Sequence, residues 1–255
     1  MRQAFAMRRI STRRDILVFK LDHRRALVVA CDSAGGIGPK SLDSLCVTGR
    51  VVGKFTARVA LMEALSVGAT PFCVANTLSV EPIPTGNEII EGVRRELKAA
   101  GLSVPMVYST EKNFHVKQTG VGVTVLASAW LSTLKMGRCK LGDAVLAVGM
   151  PLVGREVLLG EKKGKIADTR DIKTLQTLPS VHEILPVGSR GISAEAHNLA
   201  RDSHLNFKLL RRVSVDVKKS AGPSTVVLCA VPASILEDVR SLVSKPSALI
   251  GTLAE

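Results

Sequence analysis

The sequence predicts an α+β protein, layered in α/β fashion and built as two lobes. Three observations carry that prediction. Short apolar runs alternate with amphipathic stretches over the first ~135 residues in the order β-β-α-β-α-β-β. The composition then changes to a connector at LKMGRCKLGD (134–143). A second and smaller set of strand and helix patterns follows it. The expected divisions are a mobile basic arm over 1–14, with five arginines, an N-terminal domain with a mixed sheet over 15–135, and a short α+β C-terminal domain over 136–255.

The elements follow in order. DILVFK (15–20) and ALVVAC (26–31) read as strands joined by the polar turn LDHRR. Val52, Phe55, Val59, Met62 and Leu65 fall at three- and four-residue steps, which predicts an amphipathic helix over 50–67, stopped by Gly68. TPFCVANTL (70–78) is a short, largely apolar strand. EPIPTGNE (81–88) opens a second helix, with Glu88 and Glu91 in the early turns, where negative charge suits the helix dipole. That helix runs to Ala100 and ends at Gly101. SVPMVY (103–108) and GVGVTVLASAW (120–130) read as strands, the second alternating apolar with small side chains. In the second lobe AVLAVGM (144–150) and STVVLCAV (224–231) are strands, with helices near 152–160, 171–178, 192–202 and 233–243.

Composition narrows the function. The 255 residues are 46% hydrophobic but only 3% aromatic, so aliphatic packing carries the core. No apolar run reaches the ~18 residues of a membrane span, and no secretory leader opens the chain, so a cytoplasmic protein without a membrane partner is expected. Cysteines 31, 46, 73, 139 and 229 are odd in number and lack CxxC spacing, which predicts reduced, mostly buried thiols rather than disulfides or a zinc site. The formal charge of +13, from 35 basic against 22 acidic residues, favours anionic ligands. Scattered basic residues and the near absence of base-stacking aromatics argue against nucleic acid.

CDSAGGIGPKS (31–41) places an aspartate, three glycines and a lysine after an apolar strand. It is neither a mononucleotide P-loop, since Pro39 precedes Lys40 where glycine is needed, nor a dinucleotide fingerprint, since Ser41 stands where a glycine should. A phosphate cradle and a plain turn both remain open. Four separated motifs do carry a resemblance: ACDSAGGIG (30–38), ALMEALSVGATPFCV (60–74), YSTEKN (108–113) and KLGDAVLAVG (140–149). In this order and spacing they resemble the aminoimidazole ribonucleotide synthetase superfamily, whose relatives include thiamine monophosphate kinase and selenophosphate synthetase. Together with HEILPVGSRGISAEA (182–196) and KKSAGPSTVVL (218–228), the motifs are most similar to the short members described as α-ribazole kinases.

The resemblance implies that family's two-lobe fold, binding of ATP and Mg²⁺, a nucleoside substrate and a homodimer built by pairing first-lobe sheets. The implied activity is phosphoryl transfer from ATP to the 5′-hydroxyl of α-ribazole. An ATP-dependent ligase and a non-catalytic nucleotide-binding protein are the alternatives. One departure stands out. Related kinases carry Asp-x-Ser-Asp-Gly in the second domain, where this chain has PVGSRGI (186–192), without a carboxylate.

Phosphoryl transfer needs a cation held by hard oxygen ligands. Asp32 at the end of a strand suits that role, or caps an Asx turn. Glu63 is a second metal ligand or an ordinary exposed helix residue. Gly35, Gly36 and Gly38 would let backbone amides approach phosphate, and Lys40 adds a point charge or is simply solvated. Thr110, Glu111, Lys112 and Asn113 follow a strand end. There Glu111 is a candidate metal ligand or proton acceptor, Lys112 a phosphate contact and Asn113 an amide donor, unless they form only a polar turn. Gly188 and Arg190 precede a helix at an anion-ready position.

Overall fold

The computed structural model describes residues 8–10, 12 and 14–255. In the first lobe the strands are β1 (Arg8–Ile10), β2 (Ile16–Lys20), β3 (Arg25–Gly35), the short parallel pair β4 (Ile37–Gly38) and β5 (Leu45–Cys46), β6 (Thr70–Leu78), β7 (Met106–Thr110) and β8 (Gly120–Trp130). Helices α1 (Gly49–Ser66) and α2 (Asn87–Ala99) interrupt them. Six of the strands form one sheet in the order β1-β2-β3-β8-β6-β7, antiparallel except for the β6–β7 pair. The alternation in the sequence decides its two faces. Val28 and Ala30 of β3, Val123 and Val125 of β8 and Val74 of β6 are buried towards the helices. The opposite face leaves Leu17, Phe72, Val107 and Trp130 exposed.

Two glycines set how closely the helices cross. A Cβ on Gly53 would lie 2.0 Å from the Ile89 carbonyl oxygen, and one on Gly92 would lie 2.2 Å from that of Arg50. α1 and α2 therefore touch backbone to backbone, and only glycine permits it.

The second lobe holds β9 (Ala144–Gly149), α3 (Arg155–Lys162), α4 (Thr169–Gln176), β10 (Glu183–Pro186), α5 (Gly191–Asp202), β11 (Asn206–Leu209), β12 (Val226–Val231), α6 (Leu236–Leu242) and β13 (Ser247–Ala254). Its antiparallel sheet has the order β10-β12-β9-β13-β11. Every residue of β9 and β12 is buried. The reason lies in their neighbours. Ala144, Leu146 and Val148 join the core shared with α1 and the first-lobe sheet, while Val145 and Ala147 face the cluster beneath α5.

The structure amends several expectations. β3 does not stop at Cys31 but runs through Asp32, Ser33 and Ala34 to Gly35, paired with β8 all the way to Gly120. β7 begins at Met106, three residues later than the apolar run suggests. β10, β11 and β13 were not anticipated. The expected mobile arm is in part ordered: Arg8–Ile10 pairs with Val18–Lys20, and Arg14 is fully buried. Residues 1–7, 11 and 13 of that arm lie outside the described residues. All five cysteines are free, but only Cys229 is fully buried, whereas Cys31 and Cys46 are exposed. Among the described residues, no helix is long and apolar enough to cross a membrane.

Candidate functional site

A cavity of about 470 Å³ opens between the lobes. β3 and α1 of the first lobe form one wall. Gly154 and Val157 from the start of α3, Gly188 and Ser189 ahead of α5, and the 222–224 turn ahead of β12 form the other. Val47, Val51, Val52, Phe55, Val59, Val157 and Leu158 line it with apolar surface, and Asp15, Asp32 and Glu63 supply carboxylates. Among the described residues, no lysine, arginine or histidine lines it.

The two central carboxylates arrive from different elements. Asp32 sits at an inward position of β3, two residues past the buried Ala30, so the pleat that packs the core aims it at α1. Burial raises its pKa to about 6, against one backbone hydrogen bond from Ser33. Glu63 lies on the buried side of α1, with a residue exposure of 8%, and its Oε2 has no hydrogen-bond partner. Burial is the main cause that pushes its pKa up to about 8. The Arg14 guanidinium opposes that rise, while Asp15, Glu195 and Asp32 add to it. The reading of Glu63 as an ordinary exposed helix residue is thereby excluded.

Such a pair fits a hard cation. An orphaned carboxylate oxygen, a neighbouring carboxylate raised by burial and a lining without a basic side chain leave room for positive charge, since the Arg14 guanidinium outside the lining offsets the rise of Glu63 only in part. Among the described residues, no three His, Cys, Asp or Glu side chains gather closely enough to hold a metal by themselves. A cation held here would complete its shell with phosphate oxygens and water, the usual pattern for Mg²⁺.

Of the expected residues, the structure brings Asp32, Gly35, Glu63 and Gly188 into this cavity and leaves the others outside it. Gly36 and Gly38 turn away, with φ of +68° and +154°. A Cβ on Gly38 would meet Thr119 Oγ1 at 2.2 Å, so packing accounts for that glycine. Lys40 pairs with Glu81. Thr110 ends β7, three strands from β3 and therefore about 14 Å away. Beyond it Glu111 accepts the backbone N–H groups of Asn113 (2.6 Å) and Phe114 (3.1 Å), which lowers its pKa, while Lys112 and Asn113 are exposed. Arg190 turns to Glu195 at 3.2 Å and is half exposed.

Three features were not read from the sequence. Asp15 stands at the cavity edge, one residue before a strand and with no motif around it. Cys31 lies beside Asp32 in the lining. The carboxylate missing from PVGSRGI has a counterpart one turn into α5, where Glu195 is 5% exposed, accepts from Asn198 at 3.0 Å and acts on Glu63.

No protein-family model matches the chain, and no curated protein matches it in sequence. Solved structures do. Thiamine monophosphate kinase from Aquifex aeolicus superposes with a TM-score of 0.65 at 14% identity, over 91% of this chain and 86% of that one. The hydrogenase maturation protein HypE of E. coli gives 0.65 at 17% identity, over 89% and 80%. Phosphoribosylformylglycinamidine synthase II from Thermotoga maritima gives 0.60 at 16% identity, over 94% of this chain but 37% of its own length. At these identities the likeness establishes architecture, and the architecture is the two-lobed aminoimidazole ribonucleotide synthetase-like fold.

Proposed function

We propose that the protein is an ATP- and Mg²⁺-dependent small-molecule kinase, and that its acceptor is the 5′-hydroxyl of α-ribazole. The observation that carries this reading is the interlobe cavity, where Asp32 and Glu63, its Oε2 unpartnered, stand among apolar residues in a lining without lysine, arginine or histidine. A ThiL chain of the same fold is complexed with AMPPCP and TMP, which supports a nucleotide beside a second small molecule. AMPPCP is an ATP analogue. Bound Mg²⁺ would neutralise the phosphate oxygens, with Asp32 and Glu63 as its protein ligands. The backbone at Gly35, Gly188 and Ser189 would lie along the phosphates, and the valine and Phe55 surface would hold the aglycone. The acceptor oxygen bonds to the γ-phosphorus as the bond to ADP breaks, and its proton leaves to a cavity carboxylate.

Two further parts of the proposal concern the setting. The uncovered face of the six-stranded sheet, with Leu17, Phe72 and Trp130 exposed, supports a homodimer formed sheet to sheet. Five free cysteines support a reducing, cytoplasmic location. A non-catalytic nucleotide-binding protein is the second reading, favoured by the loop over 186–192, which carries no carboxylate. The test is incubation with ATP, Mg²⁺ and a nucleoside panel that includes α-ribazole. Gain of one phosphate on α-ribazole, dependent on Mg²⁺, is the expected mass change. ATP binding without any product would leave the second reading standing.

A further inference from the structure

On the other flank of α1 lies a second cavity, of about 530 Å³ and of opposite character. Val51 borders both. Its lining carries five cations, Arg50, Lys54, Arg58, Arg95 and Arg170, against three carboxylates, Glu96, Glu161 and Asp168. The first lobe supplies α1 and α2, and the second supplies Glu161 of α3 and the opening turn of α4. The floor is closely packed, because this is where Gly92 lets α2 touch the backbone of α1.

We propose that this groove binds a multiply charged phosphate anion of the diphosphate class, free of metal. Four of the five cations are arginines, whose planar forks match phosphate oxygens. Arg58 is held at the base by Glu96, at 2.8 Å and 3.0 Å, with its Nη1 2.9 Å from Glu161. At the rim, Arg95 pairs with Glu91 and Arg170 with Asp168, and these two guanidiniums are 67% and 73% exposed. Arg50 holds a partly open pair with Glu91, and Lys54 a more sheltered one with Glu161. Exposed pairs contribute little to stability and exchange readily, so a ligand with several adjacent charges can recruit the rim cations together. The acidic interlobe cavity, by contrast, repels such an anion unless a metal accompanies it. Charge thus separates the two sites.

Calorimetric titration of the full chain with inorganic pyrophosphate in EDTA tests the assignment. Binding with a dissociation constant below about 1 mM is expected. The double charge reversal Arg95→Glu with Arg170→Glu should weaken it about 10-fold or more. Because Arg170 also pairs with the sheltered Asp168 that caps α4, Arg95→Glu alone, at an exposed pair, should weaken it in the same direction, with thermal unfolding checking that each variant is folded. Arg240→Glu with Arg25→Glu makes the same change in net charge away from the groove and should leave the affinity unchanged. No binding at millimolar pyrophosphate overturns the proposal. So does an equal loss in both double variants, which would mean a general attraction to a basic protein.

Discussion

At the scale of the residue, the near-isosteric change Asp32→Asn separates a metal ligand from a turn former. If Asp32 holds the cation, loss of a charge-assisted contact of about 3 kcal/mol should lower turnover ~100-fold or more with the fold intact. Mg²⁺-dependent phosphorylation at the normal rate in a folded variant would remove the assignment. Glu63 yields a different prediction, about stability. Its folded pKa of about 8 exceeds the ordinary 4.5, so the folded chain keeps a proton that the unfolded chain has released. Stability without metal should therefore fall as pH rises between those values, by about 1.4 kcal/mol per pKa unit at most. Glu63→Gln should flatten that slope in urea titrations run in EDTA from pH 5 to 8.5. An unchanged slope would show that Glu63 ionises freely. Both carboxylates were legible as candidates because an aspartate between an apolar run and glycines and an acidic residue within an apolar helix are local signals, although Asp32 proves to lie within β3 rather than at its end. Asp15 and Glu195 were not legible, because only the folded chain brings Asp15 to the cavity and Glu195 near enough to act on Glu63.

At the scale of the element, the crossing of α1 and α2 is the place most sensitive to one methyl group. Gly53→Ala puts a Cβ 2.0 Å from the Ile89 carbonyl oxygen, so the helices must separate. Overpacking of this kind costs about 1–3 kcal/mol, and a lower midpoint in thermal unfolding is the expected readout. An unchanged midpoint would mean the helices slide freely. The elements read best from the sequence were those with long, one-sided patterns, α1, α2 and β8. β10 and β11 have four residues each, too few to show a period, and a register shift near Gly251 disturbs the alternation of β13. The end of β3 was misjudged because glycines commonly signal a turn, yet here Gly35 lies opposite Gly120 within a ladder.

At the scale of the whole molecule, Arg14 fastens the lobes together. Its Nη1 donates to the Ile184 carbonyl oxygen at 2.6 Å, its Nη2 pairs with Glu183, and both side chains are fully buried. Arg14→Met leaves the Glu183 carboxylate without its cation and should destabilise the chain by about 3–5 kcal/mol in urea unfolding. Adding Glu183→Gln should recover much of that loss. The basic N-terminal composition suggests a solvated arm, since nothing in the local sequence marks Arg14 as buried. The two-lobed plan was legible because the connector at 134–143 changes composition, whereas the depth of the shared core was not. Light scattering should give a dimer mass at micromolar concentration, and a monomer would leave the bare sheet face without its proposed partner.

The same arginine bears on how the protein is made. Arg14 and Glu183 are 169 positions apart in the chain. A ribosome adding about 5–20 residues per second separates their emergence by roughly 10–30 s. Only in the last part of that interval, once β8 has ended at Trp130, is the first-lobe sheet complete in sequence, and its N-terminal cation still has no carboxylate to meet in the second lobe. Arg14 stays without its Glu183 partner until translation has passed β10. Synthesis of this protein therefore closes the Arg14–Glu183 seam late, although Arg14 is made long before its partner.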